Sequence, residues 1–134
     1  MNVIPEHAEC TVDVRFSSMD EAARIERAVL DLKPFDDRVT IEILGGVNRP
    51  PMERTAGVAE LLEKVRSIGA SFDYEIGETQ VGGASDGNFI AALGVPLLDG
   101  LGIAGDGAHR LDEHILIDDI AKRATLVTSL LLRS

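Results

Sequence analysis

Cysteine is almost missing from this chain. Cys10 stands alone, so no internal disulfide can form, and without a Cys-x-x-Cys pair neither a cysteine zinc site nor thioredoxin chemistry is open to it. In the run AECTVDV, Cys10 reads as a small buried hydrophobe rather than a reactive thiol. Tryptophan is absent and aromatic residues make up 4% of the chain, so a core has to be built from Val, Ile, Leu and Ala. Basic residues are scarce: 13 Lys and Arg stand against 23 Asp and Glu, which leaves a net charge of −10 and no basic face for nucleic acid. That balance suits a soluble protein or one that handles metal cations. Long apolar runs are lacking too. The longest, Leu126 to Leu132, is interrupted by Thr128 and Ser129 and is too short to span a bilayer. The opening NVIPEHAE has neither the basic nor the apolar region of a secretory leader. These absences lead to the expectation of a cytoplasmic-type soluble protein with no nucleic-acid and no membrane partner.

At 134 residues the chain is one domain or two small pieces, and a composition 45% hydrophobic and 27% charged is enough to bury a core. From Ala8 to Phe16, Cys10, Val12, Val14 and Phe16 alternate with polar residues, which predicts a strand with one buried face. Ser17 or Ser18 then offers a helix cap, and Met19 to Leu32 places Ala22, Ile25, Ala28, Val29 and Leu32 at helical spacing before Pro34. Val39 to Ile43 alternates again and predicts a second strand, ending at Gly45-Gly46. Asn48-Arg49-Pro50-Pro51 is a rigid connector, so a boundary between two structural pieces falls near Gly46.

Beyond it, a helix is predicted over Thr55–Ile68, with Val58, Leu61, Leu62 and Val65 as its buried stripe and Gly69 as its C-cap. Further strands are predicted over Phe72–Ile76 and Pro96–Leu98, with a short helix from Ser85-Asp86 to Leu93 between them. His114 to Ile117 reads as extended. Asp118 or Asp119 should cap a last helix with Ile120, Ala124, Val127, Leu130 and Leu131 on its inner face. Alternating helices and strands imply an α/β layer architecture.

The stretch from Val81 to His114 is rich in glycine, which suggests backbone that turns sharply or approaches a ligand closely. His109 lies on it with Asp106, Asp112 and Glu113 nearby in sequence. Read on its own, His109 is either a metal ligand or a surface histidine on a glycine loop. His114 opens an apolar run and reads as structural, and His7 as exposed.

Five short motifs follow one another in order: N-V-I-P at the start, D-V-R ending at Arg15, R-P-P from Arg49, G-G-A-S-D-G-N from Gly82, and G-A-H-R-L-D-E-H ending at His114. In that order they resemble the C-terminal part of the dinuclear-zinc metallopeptidase family that includes glutamate carboxypeptidase, aminoacylase, acetylornithine deacetylase and succinyl-diaminopimelate desuccinylase. The resemblance covers essentially the whole chain. It implies that residues 1–46 are the second half of an α+β, ferredoxin-like lid or dimerisation domain. Residues 47–134 would be the last third of a zinc-peptidase-like α/β catalytic domain. It further implies an amide hydrolase whose substrate bears a carboxylate, two zinc ions (cobalt or manganese in their place), and a homodimer formed through the lid.

The resemblance also assigns roles. His109 matches the last metal ligand of the family. Asn2 and Arg15 match a lid pair that reaches toward bound substrate, a task for which a planar guanidinium is suited. Arg49 matches a further carboxylate-contacting arginine. Gly83 and Ser85 lie on a turn, Gly82 to Ser85, that matches a segment lining the substrate pocket. Without the family, Arg15 is an exposed strand arginine and that turn a plain helix start.

Against the family pattern, the chain holds no Glu-Glu pair and no His-x-Asp, so the general base and most metal ligands are missing from it. A single imidazole does not hold zinc tightly at neutral pH. The chain alone is therefore expected to be inactive, as a C-terminal piece of a carboxypeptidase- or deacylase-type enzyme. A free-standing, non-catalytic self-association module is the second reading, and an unrelated small α/β domain the third.

Overall fold

A computed structural model describes residues 5–133. Along the chain it has helix α1 (Met19–Leu30), helix α2 (Ala56–Ala70), the short helix α3 (Gly87–Ala91), the two-residue strands β1 (Gly105–Asp106) and β2 (His114–Ile115), one 3₁₀ turn over Ile117–Asp119, and helix α4 (Ile120–Leu132). The helix starts follow local chemistry. The Ser18 hydroxyl accepts from the Glu21 N–H at 3.2 Å, with Asp20 and Glu21 in the first turn and Arg27 in the last. The Thr55 hydroxyl does the same for the Val58 N–H at 3.3 Å.

The core is small and lies between α2 and α4. Val65, Ile68 and Leu126 are its fully buried centre, with Phe72, Tyr74, Ile76, Leu98, Leu101 and Leu130 packed around it. Each such side chain taken out of water is worth about 1.5–3 kcal/mol. Gly69 is part of this packing rather than the helix cap expected of it. The helix runs one residue past it, and a β-carbon there would collide with the Tyr74 carbonyl oxygen. The missing side chain lets the backbone double back after Asp73, itself in a left-handed conformation at φ 55, so that the Tyr74 N–H reaches the Gly69 carbonyl at 3.0 Å.

The expected layered sheet does not form among the described residues, where β1 and β2 make the only ladder. The strands predicted over Ala8–Phe16, Val39–Ile43, Phe72–Ile76 and Pro96–Leu98 are extended or irregular and unpaired. Alternation marks a surface that can be half-buried; a ladder also needs a neighbouring strand and a layer to cover it. For Phe72, Tyr74 and Ile76 the cover exists: they turn toward the core while Asp73 and Glu75 face out. For the N-terminal pair it does not, so Val12 is 73% and Leu44 84% exposed, and Cys10 is exposed rather than buried.

Helix α1 ends two residues before the predicted Leu32 and buries only Ala22 of its expected stripe. Among the described residues it packs against no other helix or strand. In α4 the inner face is also rotated from the expected one: Leu126 is fully buried, while Ile120 and Leu131 are exposed. The accessible surface is 11130 Å², against roughly 6,800 Å² for a compact monomer of this mass.

Asp119 does not cap α4, which has no side-chain cap bond at that position. Its carboxylate is turned inward, where Oδ1 accepts from the Tyr74 hydroxyl at 2.5 Å and Oδ2 from the Ala104 N–H at 3.0 Å and Arg123 Nε at 3.2 Å. The Tyr74 hydroxyl, first, together with the Ala104 N–H and Arg123, holds the Asp119 carboxyl below the usual carboxylate range. Burial, reinforced by that carboxylate, pushes the Tyr74 hydroxyl up. Because the folded Asp119 titrates below its unfolded value, its contribution is complete above about pH 4 and disappears as pH falls through the lowered value. Urea midpoints measured from pH 6 downward should fall more steeply for the wild type than for Asp119→Asn. Parallel acid limbs would show that this carboxylate contributes nothing to the pH dependence.

Candidate functional site

Two prolines fix the backbone after Arg49. Across from them, the turn preceding α3 is built by its own side chains. The Asn88 amide oxygen accepts from the Ser85 N–H at 2.9 Å, and the Ser85 hydroxyl accepts from the Gly87 N–H at 3.1 Å. Asp86, although it sits at the helix start as expected, makes no side-chain cap bond. The other end of the Asn88 amide donates to the Pro50 carbonyl at 2.7 Å, so one buried side chain, 8% exposed, joins the proline segment to the turn. Gly87 is confined by contacts: a β-carbon there would lie 2.9 Å from Leu97 Cδ2 and 3.0 Å from Ser85 Oγ. Gly83, in contrast, faces open space apart from Val81 at 4.0 Å.

Two arginines from distant parts of the chain hold the ends of this turn. Arg49 Nη1 donates to the Ser85 carbonyl at 2.6 Å, lies 3.7 Å from Asp86 Oδ1, and its guanidinium carbon sits 4.8 Å from the centre of the Phe89 ring. The Asp86 carboxylate is fully exposed, so that ion pair is weak, whereas the carbonyl contact is part-buried. Arg15 Nη1 donates to the Gly82 carbonyl at 2.9 Å, while its Nη2 pairs with Asp13 at 3.3 Å. Arg15, Gly82, Gly83 and Arg49 line one wide, open crevice, which Asp99 borders. The Ser85 hydroxyl and the Gly100 N–H hold the Asp99 carboxyl below its ordinary range. The crevice thus combines two guanidinium groups, a turn of small residues and a carboxylate that stays ionised. An anionic group of a ligand could meet the former.

His109 lies outside that crevice, at the tip of the β1–β2 hairpin. Gly105 pairs with Ile115 and Asp106 with His114. The tip is closed by Arg110 N–H to the Gly107 carbonyl at 2.8 Å and Asp106 Oδ1 to the Gly107 N–H at 2.6 Å. Gly107 and His109 both have left-handed backbone, at φ 75 and φ 66. For a histidine this is an uncommon conformation, of the kind retained where the surroundings impose it. The His109 N–H is held by Glu113 Oε2 at 3.3 Å, and its imidazole is exposed. His114, exposed at the start of β2, has its Nδ1 3.0 Å from the Asp112 carbonyl.

Among the described residues no three of His, Cys, Asp and Glu gather where a metal ion could sit. His109 fits as one exposed imidazole donor, but this stretch does not complete a cage around it. Asn2 lies outside the described residues. The structure therefore brings Arg15, Gly83, Arg49 and Ser85 to one place and leaves His109 on another. Asn88 was not singled out from the sequence, and Asp119 only as a helix cap, which it is not. The Ser-Asp-Gly-Asn spacing was the available signal for the first; an acid four residues before Arg123 was the signal for the second.

The order of these segments has a counterpart among known proteins. Residues 3–133 match the profile of the peptidase family M20/M25/M40, and the chain belongs to that family. Among its relatives, the succinyl-diaminopimelate desuccinylase of Thioalkalivibrio sulfidiphilus (strain HL-EbGR7) is 30% identical over 135 residues, which cover 98% of this chain and 34% of the relative. The enzyme of the same name from Psychrobacter sp. (strain PRwf-1) is 32% identical over 136 residues, covering 97% and 33%. That from Pseudoalteromonas atlantica (strain T6c / ATCC BAA-1087) is 32% identical over 138 residues, covering 98% and 34%. The chain spans about a third of the length of the curated relatives it matches. No solved structure matches it. Among the described residues no helix is long and apolar enough to cross a membrane.

Asn88 generates a sharp test. Asn88→Ala leaves the Pro50 carbonyl and the Ser85 N–H without their partner, which should cost about 1–3 kcal/mol by urea unfolding. Asn88→Asp keeps an acceptor for Ser85 but sets a carboxylate against the Pro50 carbonyl. Its deficit should shrink below about pH 4, where the acid becomes a donor. A pH-independent deficit would mean that the Pro50 contact carries no weight.

Proposed function

We propose that this chain is the C-terminal part of a zinc-dependent amide hydrolase of the deacylase or carboxypeptidase type, acting on substrates that carry a carboxylate. The observation that supports it most is the convergence of Arg15 and Arg49 on the two ends of the Gly82–Ser85 turn. Arg49, which spends Nη1 on the Ser85 carbonyl, can take a carboxylate through its other N–H groups, whereas the Nε and Nη2 of Arg15 already face Asp13, which a ligand carboxylate would have to displace. The names of the relatives point to an N-acylated amino acid as the class of substrate. In this reading residues 1–46 form the second half of a lid and residues 47–134 the end of the catalytic domain. Among the described residues, all but one of the buried apolar residues fall in the second part, the exception being Ala22. Arg15, Arg49, Asn2 and the Gly83–Ser85 backbone bind and orient substrate, and the enzyme works in the cytoplasm.

His109 contributes one imidazole to a site for two zinc ions, with cobalt or manganese as substitutes. Bound zinc supplies Lewis acidity. The remaining ligands and the general-base Glu belong to the part of the family's length that this chain does not span. By itself the chain is inactive on this reading. The test uses the whole polypeptide that carries this stretch. His109→Ala should lower amide hydrolysis by more than about 100-fold, beyond what loss of an outer-shell partner costs. The urea midpoint should stay nearly unchanged, because the side chain is exposed. Unchanged turnover would remove His109 from the site, and tight stoichiometric zinc binding by the 134-residue chain alone would contradict the incomplete cage.

A second reading, self-association through the N-terminal half, is favoured by the exposed Leu30, Leu32, Val39, Ile41 and Leu44. Sedimentation of the chain should show a dimer that Leu32→Asp and Leu44→Asp dissociate. A monomer at all concentrations would remove this reading.

A further inference from the structure

We propose that Asp119 is the positioning residue of the hairpin that carries His109, rather than a helix cap or a general stabiliser of the core. Three separate elements meet on its carboxylate, which is 9% exposed. Tyr74, from the segment that doubles back after α2, donates to Oδ1; Arg123, one turn along α4, donates to Oδ2. The third donor is the Ala104 N–H, at the foot of the hairpin. The carbonyl of that same residue accepts from the Leu116 N–H at 2.8 Å, closing the opposite strand. Asp119 therefore holds the residue on which both strands of the hairpin depend.

No comparable anchor exists in the hairpin itself. Its ladder is two residues per strand, and a two-stranded ribbon of that size is not stable alone in water. Gly105 cannot take a side chain without striking the His114 carbonyl, so the ribbon is closely apposed yet has little apolar surface to bury. The charge of Asp119 is balanced by Arg123, whose Nη1 also reaches the Gly100 carbonyl at 3.4 Å, ahead of the hairpin. The Asp119 N–H also donates to the Leu116 carbonyl at 2.9 Å, so among the described residues both strands are tied to the rest of the fold at the foot, and the place of the tip, and of His109 on it, is set from there.

The significance for a metal rests on the proposed role of His109; the clamp does not. Amide hydrogen exchange of the 134-residue chain tests the clamp directly. Asp119→Ala should speed exchange at Ala104 and Leu116 by about 10–100-fold, the range for losing a hydrogen bond to a charged group. Amides of α2 around Val65 and Ile68, which Asp119 reaches only through Tyr74, should be speeded by a clearly smaller factor than the hairpin amides. Should the alanine variant unfold, Asp119→Asn keeps the shape and one acceptor, and should speed the same hairpin amides by a smaller factor. Hairpin exchange equal to wild type overturns the proposal. So does a rise shared equally by α2, which is what a merely structural role would produce. A zinc titration followed on the His109 ring signals judges the other reading separately. A hairpin that loosens selectively, with ring signals indifferent to zinc in the whole polypeptide, keeps the clamp and discards the ligand.

Discussion

Val65, Ile68 and Leu126 hold α2 against α4, and the ordered features of the C-terminal half are attached to that contact. The segment after α2 returns across it because Gly69 has no side chain to obstruct Tyr74. Tyr74 then meets Asp119 at the start of α4, and Asp119 in turn meets Ala104. A small apolar contact thus fixes the helix pair, and polar contacts at its edge carry the order outward into backbone that has little apolar surface of its own. Inside a partly buried environment each of those hydrogen bonds is stronger than in water, and each is costly to leave unmade.

The same contrast separates the two groups of candidate site residues. The Gly82–Ser85 turn is held from several sides, by Asn88 within and by Arg15 and Arg49 at its ends. Spending N–H groups on main-chain carbonyls fixes where the guanidinium groups lie, which suits recognition of a carboxylate more than a freely moving lysine would. His109 stands on a hairpin held from one end. Both groups lie in a chain that belongs to the M20/M25/M40 peptidase family and spans about a third of its relatives' length. The accessible surface of 11130 Å² is far beyond that of a compact monomer of this mass.

Helices were legible because their signals are local. Ser18 caps α1 as its sequence position implies, and of the stripe expected for α2 Leu62 and Val65 are buried while Val58 and Leu61 are half-buried. Strands were not, because pairing is a property of two segments. The alternation at Val12 and Val14 has the same letters whether or not a neighbour is present. Phe72, Tyr74 and Ile76 show the intermediate case, where alternate residues turn inward without the expected ladder forming. The clustering of Arg15 with Gly82, and of Arg49 with Ser85, came from motif order in the family and not from spacing. The contacts of Asn88, and the inward turn of Asp119 in place of the capping expected of it, were not legible because a polar residue's partner can be a carbonyl or N–H many residues away.

Residue order by itself determined the family, the helix starts, the absence of disulfide and cysteine-metal chemistry, and the want of a Glu-Glu pair. Each of these is read from neighbours along the chain or from the inventory of side chains. Tertiary structure alone decided that Asp119 turns inward instead of capping, that Leu126 rather than Ile120 or Leu131 faces the core, and that two arginines 34 residues apart hold one turn while His109 stands elsewhere. The physical reason is that burial and hydrogen-bond partnership depend on which surfaces meet in space, and short-range pattern carries no record of that meeting.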